Sequence, residues 1–221
     1  IVGKEWQRYT LALNTANKKR TKMYGDKAVN CRLVVAGKKD ATVALDMISL
    51  FPHDTYKGHG LRKDLAEAIA ELKPKFVRFP GGCMSHGQGI DNIYHWNHTI
   101  GPLQDRKPDK NIWNYHQTRG LGFYEYFQMC EDMGAEPLPV LAAGVPCQNS
   151  RANAEGYGGQ QGGIPMSEMP AYCQEILDMI EWANGDPATS KWAKMRADAG
   201  HPAPFNLKYV GVGNEDLIST D

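Results

Sequence analysis

The 221-residue sequence shows no surplus of charge, no long apolar run and no closely spaced pair of cysteines. Its 25 basic and 25 acidic residues balance, which argues against a nucleic-acid-binding protein, because such proteins concentrate basic residues on one face. No apolar run approaches the length needed to cross a bilayer, and the first residues lack the basic and then apolar segments of a signal peptide. The five cysteines form no CxxC pair, so the sequence predicts neither a zinc site nor a dense disulfide framework.

Signatures of several catalytic classes are missing as well. The sequence has no HExxH or similarly spaced His/Asp set, which argues against a metal hydrolase, and no GxSxG, which leaves serine-hydrolase chemistry unsupported. Gly81 and Gly82 allow close backbone approach, but a Gly-Gly pair without the rest of a P-loop is weak evidence for a phosphate site. We therefore expect neither a metal nor a cofactor.

The sequence of residues 1–52 predicts an all-β region, which Pro52 ends. Apolar and β-branched runs at 5–13, 31–36 and 42–51 are typical of strands, and no helical pattern lies between them. So few strands cannot bury two sheet faces. We therefore expect residues 1–56 to be part of a jelly-roll-like β-sandwich whose other strands are missing.

From residue 57 the pattern alternates between strands and helices, which predicts an α/β fold with a parallel sheet. The helical patterns lie at 61–73, 122–133, 166–184 and 190–199, and the strand patterns at 75–79, 136–143 and 206–215. The long loops 81–118 and 144–165 follow the carboxyl ends of strands, where parallel α/β proteins, open sheets or barrels, carry their chemistry.

Candidate site residues lie at or after the carboxyl ends of all three strands. Asn214 and Glu215 end a predicted buried strand, where a carboxylate must be solvated, be paired or have its pKa raised by dry surroundings. Arg78 lies in a strand with phenylalanines on both sides, and we expect a buried arginine paired to a carboxylate, a group held near Glu215, or both. Cys83 and Cys147 follow neighbouring strands, so we expect them close together, and a disulfide between them stays open.

The loops combine aromatic rings with hydrogen-bonding groups, a mixture that suits the flat faces and hydroxyl edge of a sugar. The same mixture also describes a long loop that anchors itself, so each ring has a structural alternative. The members are Tyr94, His95, Trp96, His98, Trp113, Tyr115, His116, Gln117, Gln148 and Asn149.

Several motifs together resemble the α-L-arabinofuranosidases of glycoside hydrolase family 51. They are RFPGG (78–82), YHWNHTIGP (94–102), the segment from Trp113 to Gly144, and KYVGVGNE (208–215). The resemblance implies a retaining, metal-independent glycosidase: an α/β chain covering part of a (β/α)8 TIM barrel in residues 57–221. It also implies that residues 1–56 are the C-terminal part of a carbohydrate-binding-like β-sandwich.

The resemblance also assigns roles to individual residues. Glu215 matches the general acid/base, Asn214 the residue that hydrogen-bonds the sugar's 2-hydroxyl, and Arg78 the active-site arginine. Trp96 and Cys83 complete the predicted substrate-binding set. Cys83 stands where the family often has Asn, so the hydrogen bond of that amide is not carried over.

The implied substrate is a plant polysaccharide or oligosaccharide that carries terminal α-L-arabinofuranosyl units, as in arabinan and arabinoxylan. A retaining mechanism needs a second carboxylate at about 5–5.5 Å from the acid, and the family carries it beyond the last strand present here. We therefore expect the sequence to be an inactive section of a longer polypeptide, secreted or periplasmic by analogy. An endo-xylanase-like enzyme and a non-catalytic sugar-binding protein are the alternatives.

Overall fold

The computed structural model describes residues 4–13, 33–36, 40, 42–150, 160 and 162–216. The chain divides into two compact units, residues 1–54 and 55–221. Among these described residues, no helix is long and apolar enough to cross a membrane.

The described residues of the first unit contain no strand. The segments 5–13 and 42–51, predicted to be strands, are irregular, and 31–36 lies partly outside the described residues. Their apolar side chains stay in contact with solvent, as at Leu11, which is 81% exposed. A strand is stable only when neighbouring backbone satisfies its N–H and C=O groups, and the described residues of this unit show no strand-to-strand pairing. The β-sandwich therefore stays a prediction.

The second unit is built around a three-stranded parallel sheet with the order β1-β4-β5, which confirms the predicted mixed α/β fold. Strand β1 is Phe76–Phe79, β4 is Glu136–Leu141 and β5 is Gly211–Val212. Helices α1 (Lys63–Glu71), α3 (Phe123–Met133), α4 (Met169–Asn184) and α5 (Lys191–Asp198) alternate with these strands. The carboxyl ends of all three strands consequently lie at one edge of the sheet.

The loop after β1 contains short elements that the sequence patterns do not predict. Helix α2 is a single turn, Cys83–His86, and strands β2 (Asp109–Lys110) and β3 (His116–Gln117) form a small antiparallel pair. Each contains four residues or fewer, which is too short to show a helical or strand periodicity of apolar residues in the sequence.

Helix α3 shows how the local sequence sets its own boundaries. The Glu125 carboxylate accepts a hydrogen bond from the Gly122 backbone N–H at 2.9 Å, which satisfies a donor at the start of the helix. The helix ends at Gly134, whose left-handed φ of 68° costs little because glycine has no Cβ. The predicted range 122–133 agrees with this helix.

Aromatic rings from the sheet, α3, α4 and the loop after β1 form the core. The buried rings of Phe79, Phe123, Phe127, Trp96 and Trp182 belong to one cluster. Phe79 contacts Phe127 edge to face at 5.4 Å between ring centroids, which joins β1 to α3.

Two predictions about burial are wrong. The helical pattern over 61–73 predicts one apolar face, but its members Leu65, Ile69 and Leu72 are exposed, and α1 instead buries Ala66. The last strand is short rather than a buried run over 206–215, and Tyr209 and Val212 are 59% and 60% exposed. Within the described chain β5 is an edge strand, so its outer side has no neighbour.

Candidate active site

Polar side chains from three neighbouring strands meet at the carboxyl edge of the sheet. Arg78 lies on β1, Gln148 follows β4, and Asn214 and Glu215 follow β5. The strands are parallel, so their ends bring together side chains that are far apart in sequence. This edge is the candidate active site.

Arg78 contacts Asn214 directly. One guanidinium N–H, on Nη2, donates to Oδ1 of Asn214 at 2.6 Å. Arg78 is exposed and donates to an amide, so the alternative of a buried arginine paired to a carboxylate is wrong. Arg78 lies near Glu215, as expected, because it contacts Asn214, the residue immediately before Glu215.

Glu215 accepts hydrogen bonds from two amides. Its Oε2 accepts from Nδ2 of Asn214 at 3.4 Å and from Nε2 of Gln148. Because Oδ1 of Asn214 faces the guanidinium of Arg78, Nδ2 of the same amide is turned toward the carboxylate. The Glu215 side chain is also exposed to solvent, so this carboxylate is both paired and accessible.

Two thiols orient the Gln148 amide. The Cys147 thiol donates to Oε1 of Gln148 at 3.1 Å, and Cys83 Sγ lies 3.9 Å from the same oxygen. Burial, reinforced by the neighbouring Cys83 thiol, raises the pKa of Cys147 to about 12, so this thiol stays protonated as a donor. With its oxygen held by thiols, the amide presents Nε2 to Glu215.

The two cysteines are near each other but not joined. Cys83 and Cys147 are both free thiols, so the disulfide left open by the sequence does not form in this structure. Their proximity agrees with the prediction. Cys83 touches Gln148, and through that amide it contacts the candidate acid/base.

His86 belongs to this site, although the sequence patterns do not single it out. The ring is 0% exposed, at the end of α2. Nδ1 is 2.6 Å from the Val145 carbonyl oxygen, and Nε2 accepts the Asn214 backbone N–H at 2.9 Å. Its position a few residues after strand β1 could have indicated a site residue. A single histidine at such a position, however, has many structural explanations.

Trp96 is a core residue rather than a substrate contact, which corrects the sequence prediction. Its side chain is 0% exposed, and its indole N–H donates to the Glu175 carbonyl at 2.8 Å. The ring packs against Trp182 and Trp192, with centroid distances of 5.8 and 5.1 Å. An indole covered on its faces by protein cannot stack on a sugar. Among the other loop rings, Trp113 and Tyr115 are exposed.

A cleft of about 610 Å³ is lined by residues of the loop after β1 and of the start of α4. His95 contacts the Glu175 carboxylate there at 2.8 Å, and Lys107 Nζ lies 3.1 Å from Nε2 of His98. Burial, followed by the charges of His95 and Lys107, lowers the pKa of His98 to about 4. His95 and His98 therefore have structural partners.

The candidate active site offers the accessible carboxylate of Glu215, two amides and one guanidinium. A carboxylate can give and take a proton, and fixed amide and guanidinium groups can bind hydroxyls. Fold and site together define the chain as a parallel α/β protein with an enzyme-like cluster at the carboxyl ends of its strands.

Comparison with known proteins identifies the family. The family model described as "Alpha-L-arabinofuranosidase 1 domain" matches residues 68–221, most of the chain. The chain therefore belongs to the α-L-arabinofuranosidases of glycoside hydrolase family 51.

Individual relatives agree with this assignment. An extracellular exo-α-L-arabinofuranosidase of Streptomyces chartreusis is 46% identical over 85% of this chain and 23% of its own length. α-L-Arabinofuranosidase 1 of Arabidopsis thaliana is 41% identical over 86% of this chain and 26% of its own length. The chain thus spans about a quarter of the curated relatives it matches.

Solved structures show the same likeness. The arabinose-bound MgGH51 α-L-arabinofuranosidase superimposes with a TM-score of 0.63 at 41% identity, over 73% of this chain and 24% of that one. An arabinose complex of the Thermotoga maritima α-L-arabinofuranosidase gives a TM-score of 0.51 at 28% identity, over 72% and 26%.

Proposed function

We propose that this chain is part of a retaining glycoside hydrolase that releases terminal α-L-arabinofuranosyl units from arabinan- or arabinoxylan-type substrates. The observation that carries the proposal is the cluster of Arg78, Asn214 and Glu215 at the carboxyl edge of the sheet, in a chain that belongs to family 51.

Glu215 is proposed as the general acid/base. Its carboxyl group protonates the leaving glycosidic oxygen and, in the second half of the reaction, takes a proton from the attacking water. The Glu215 side chain is exposed, so its carboxyl group is accessible to a bound substrate. Hydrogen bonds from the amides of Gln148 and Asn214 orient this carboxyl group.

Asn214 and Arg78 are proposed to bind the sugar. The Asn214 amide is held by Arg78 and lies beside Glu215, which supports the proposal that it hydrogen-bonds a hydroxyl next to the reacting carbon. Cys83 lines the same edge, and its thiol is a weak donor.

The remainder of the machinery is proposed to lie outside the described residues. A retaining mechanism requires a nucleophilic carboxylate at about 5–5.5 Å from the acid, and a closed barrel requires eight strands. We propose that the sheet is part of such a (β/α)8 barrel, and that residues 1–56 belong to a β-sandwich that binds carbohydrate.

The test uses the protein expressed at the full length of its gene. We expect it to release arabinose from 4-nitrophenyl α-L-arabinofuranoside and from arabino-oligosaccharides, and to leave the matching xyloside intact. Glu215→Gln removes the proton donor and should lower kcat on the oligosaccharide by at least about 100-fold, in the range of general acid–base catalysis.

Glu181→Gln, an exposed glutamate on α4, is the matched control and should keep full activity. Cleavage of the xyloside instead would favour an endo-xylanase-like enzyme. A wild-type protein that binds arabino-oligosaccharide without cutting it would favour a sugar-binding protein and end the proposal.

A further inference from the structure

We propose that His86 is a positioning residue, which holds the backbone of Asn214 and the loop of Gln148 in one arrangement and so directs the Glu215 carboxylate. The inference rests on the proposed function, because it assigns His86 a role in proton transfer by Glu215. The ring is 0% exposed and therefore does not itself touch the substrate.

The contacts of the ring define its protonation. A backbone carbonyl can only accept, so the 2.6 Å contact with the Val145 oxygen places a proton on Nδ1. A backbone N–H can only donate, so the 2.9 Å contact from Asn214 requires a lone pair on Nε2. His86 is thus a neutral imidazole in one tautomer, with both ring nitrogens in use.

These two hydrogen bonds reach both groups that hold Glu215. Asn214 immediately precedes Glu215, and its own side chain donates to the carboxylate. Val145 leads into Cys147 and Gln148, whose amide donates to the same carboxylate oxygen. The backbone N–H of Cys147 also donates to the Gly87 carbonyl at 3.1 Å, next to His86. One buried ring therefore links the strand end and the loop that contact Glu215.

One acidic group also borders the ring. Oδ1 of Asp216 lies 3.3 Å from Nε2 and accepts from Nε2 of Gln160 at 2.6 Å. Because the Nε2 lone pair already accepts the Asn214 N–H, this carboxylate is held by Gln160 rather than by a proton of the ring. The Asn214 N–H is therefore the group that depends on Nε2.

Two amide variants separate the two bonds of His86. The terminal atoms of glutamine reach the place of Nε2, so His86→Gln can still accept the Asn214 N–H. The terminal atoms of asparagine reach only the place of Nδ1, so His86→Asn keeps the bond to Val145 and leaves the Asn214 N–H unpaired. A small misplacement of a catalytic group costs up to about 100-fold in rate, so we expect a loss of that order in His86→Asn and of less than about 10-fold in His86→Gln.

The decisive measurement is kcat/KM against leaving group in the full-length protein. A 2,4-dinitrophenyl leaving group needs little protonation, whereas a sugar leaving group needs the proton of Glu215. A positioning role predicts that His86→Asn loses about 10-fold more kcat/KM on the arabino-oligosaccharide than on the dinitrophenyl arabinofuranoside. A purely structural role lowers both equally.

His201→Gln is the matched control. His201 is also buried, with Nδ1 2.7 Å from the Ala203 carbonyl and Nε2 2.8 Å from the Glu131 carboxylate, on other elements. We expect this variant to lose stability but to show no dependence on leaving group. Thermal unfolding of all variants accompanies the kinetics, and histidine ¹⁵N NMR of the wild type reports the tautomer even if His86→Asn does not fold.

The outcomes are distinct. If the wild type hydrolyses neither substrate, the proposed function fails. If the wild type is active but the His86 variants lose nothing, or lose equally on both substrates, the positioning role is overturned while the function stands. A wild-type His86 with its proton on Nε2 also overturns it.

Discussion

Nη2 of Arg78 and Oδ1 of Asn214 are 2.6 Å apart, although 136 positions separate the two residues in the chain. The contact crosses the sheet from β1 to the end of β5, with β4 between them in the strand order. It orients the Asn214 amide so that Nδ2 faces Glu215. The geometry of the candidate acid/base thus depends on an arginine from the far side of the sheet.

This contact predicts that Arg78 and Asn214 act as one unit. Arg78→Lys keeps the charge but loses the planar fork that holds the amide, so we expect kcat/KM on an arabinofuranoside to fall by about 100-fold. Asn214→Ala should lower kcat/KM by a similar factor, and the double variant should have a kcat/KM little lower than that of either single variant. Fully additive losses in this double-mutant cycle would contradict the coupling.

Gly82 is predicted to be required for the position of Asn214. A Cβ at Gly82 would lie 2.2–2.4 Å from the Asn214 amide atoms, so Gly82→Ala must displace that side chain and break its bond to Arg78. We expect a loss of activity of about 10-fold or more with little change in thermal stability. Gly89→Ala is the control, since a Cβ there meets nothing within 4 Å, and its extended backbone suits any residue. Equal activity in both variants would rule out the steric role.

His98 is predicted to titrate far below an ordinary histidine. Burial, followed by the neighbouring charges of His95 and Lys107, lowers its pKa to about 4, with Glu175 opposing and Arg119 adding to the shift. Because the folded pKa lies below the unfolded one, the unfolded state binds more protons between these two values. The contribution of His98 to stability is therefore present above pH 6.5 and decreases as the pH falls toward 4.

NMR titration of the His98 ring checks the midpoint directly. His98→Gln should flatten the dependence of the free energy of unfolding on pH between about 4 and 6.5. A wild-type midpoint near 6.5 would show that the ring is more solvated than its contacts indicate.

Arg196 is predicted to be a major stabilising residue of the second unit. Its guanidinium is fully buried and donates to the carbonyls of Trp182, Gly185, His201 and Pro202. Arg196→Met fills a similar volume but leaves these acceptors unpaired, so we expect a loss of about 3 kcal/mol or more. Denaturant unfolding measures it. Lys194→Met on the same helix removes only an exposed ion pair with Asp198, and should cost less than about 1 kcal/mol.

The local patterns of the sequence were sufficient for the order of the longer helices and the three sheet strands in the second unit. Helix α3, with Glu125 at its start and Gly134 at its end, lies where its periodicity and caps predict it. Arg78, Asn214 and Glu215 were also found, because side chains at the carboxyl ends of parallel strands share one edge, and the motif resemblance named the same residues. Trp96 was misassigned, because an aromatic ring in a polar loop has the same local signature whether it faces a sugar or the core.

The sequence by itself determined where helices α1, α3, α4 and α5 and strands β1 and β4 lie, since periodicity and caps act over a few residues. Only the tertiary structure decided which side chains meet. His86 became a partner of Asn214 through a contact across 128 positions, and β5 became an exposed edge because the described sheet ends there. Both outcomes depend on how separate strands pack side by side, and local sequence preferences carry no information about that packing.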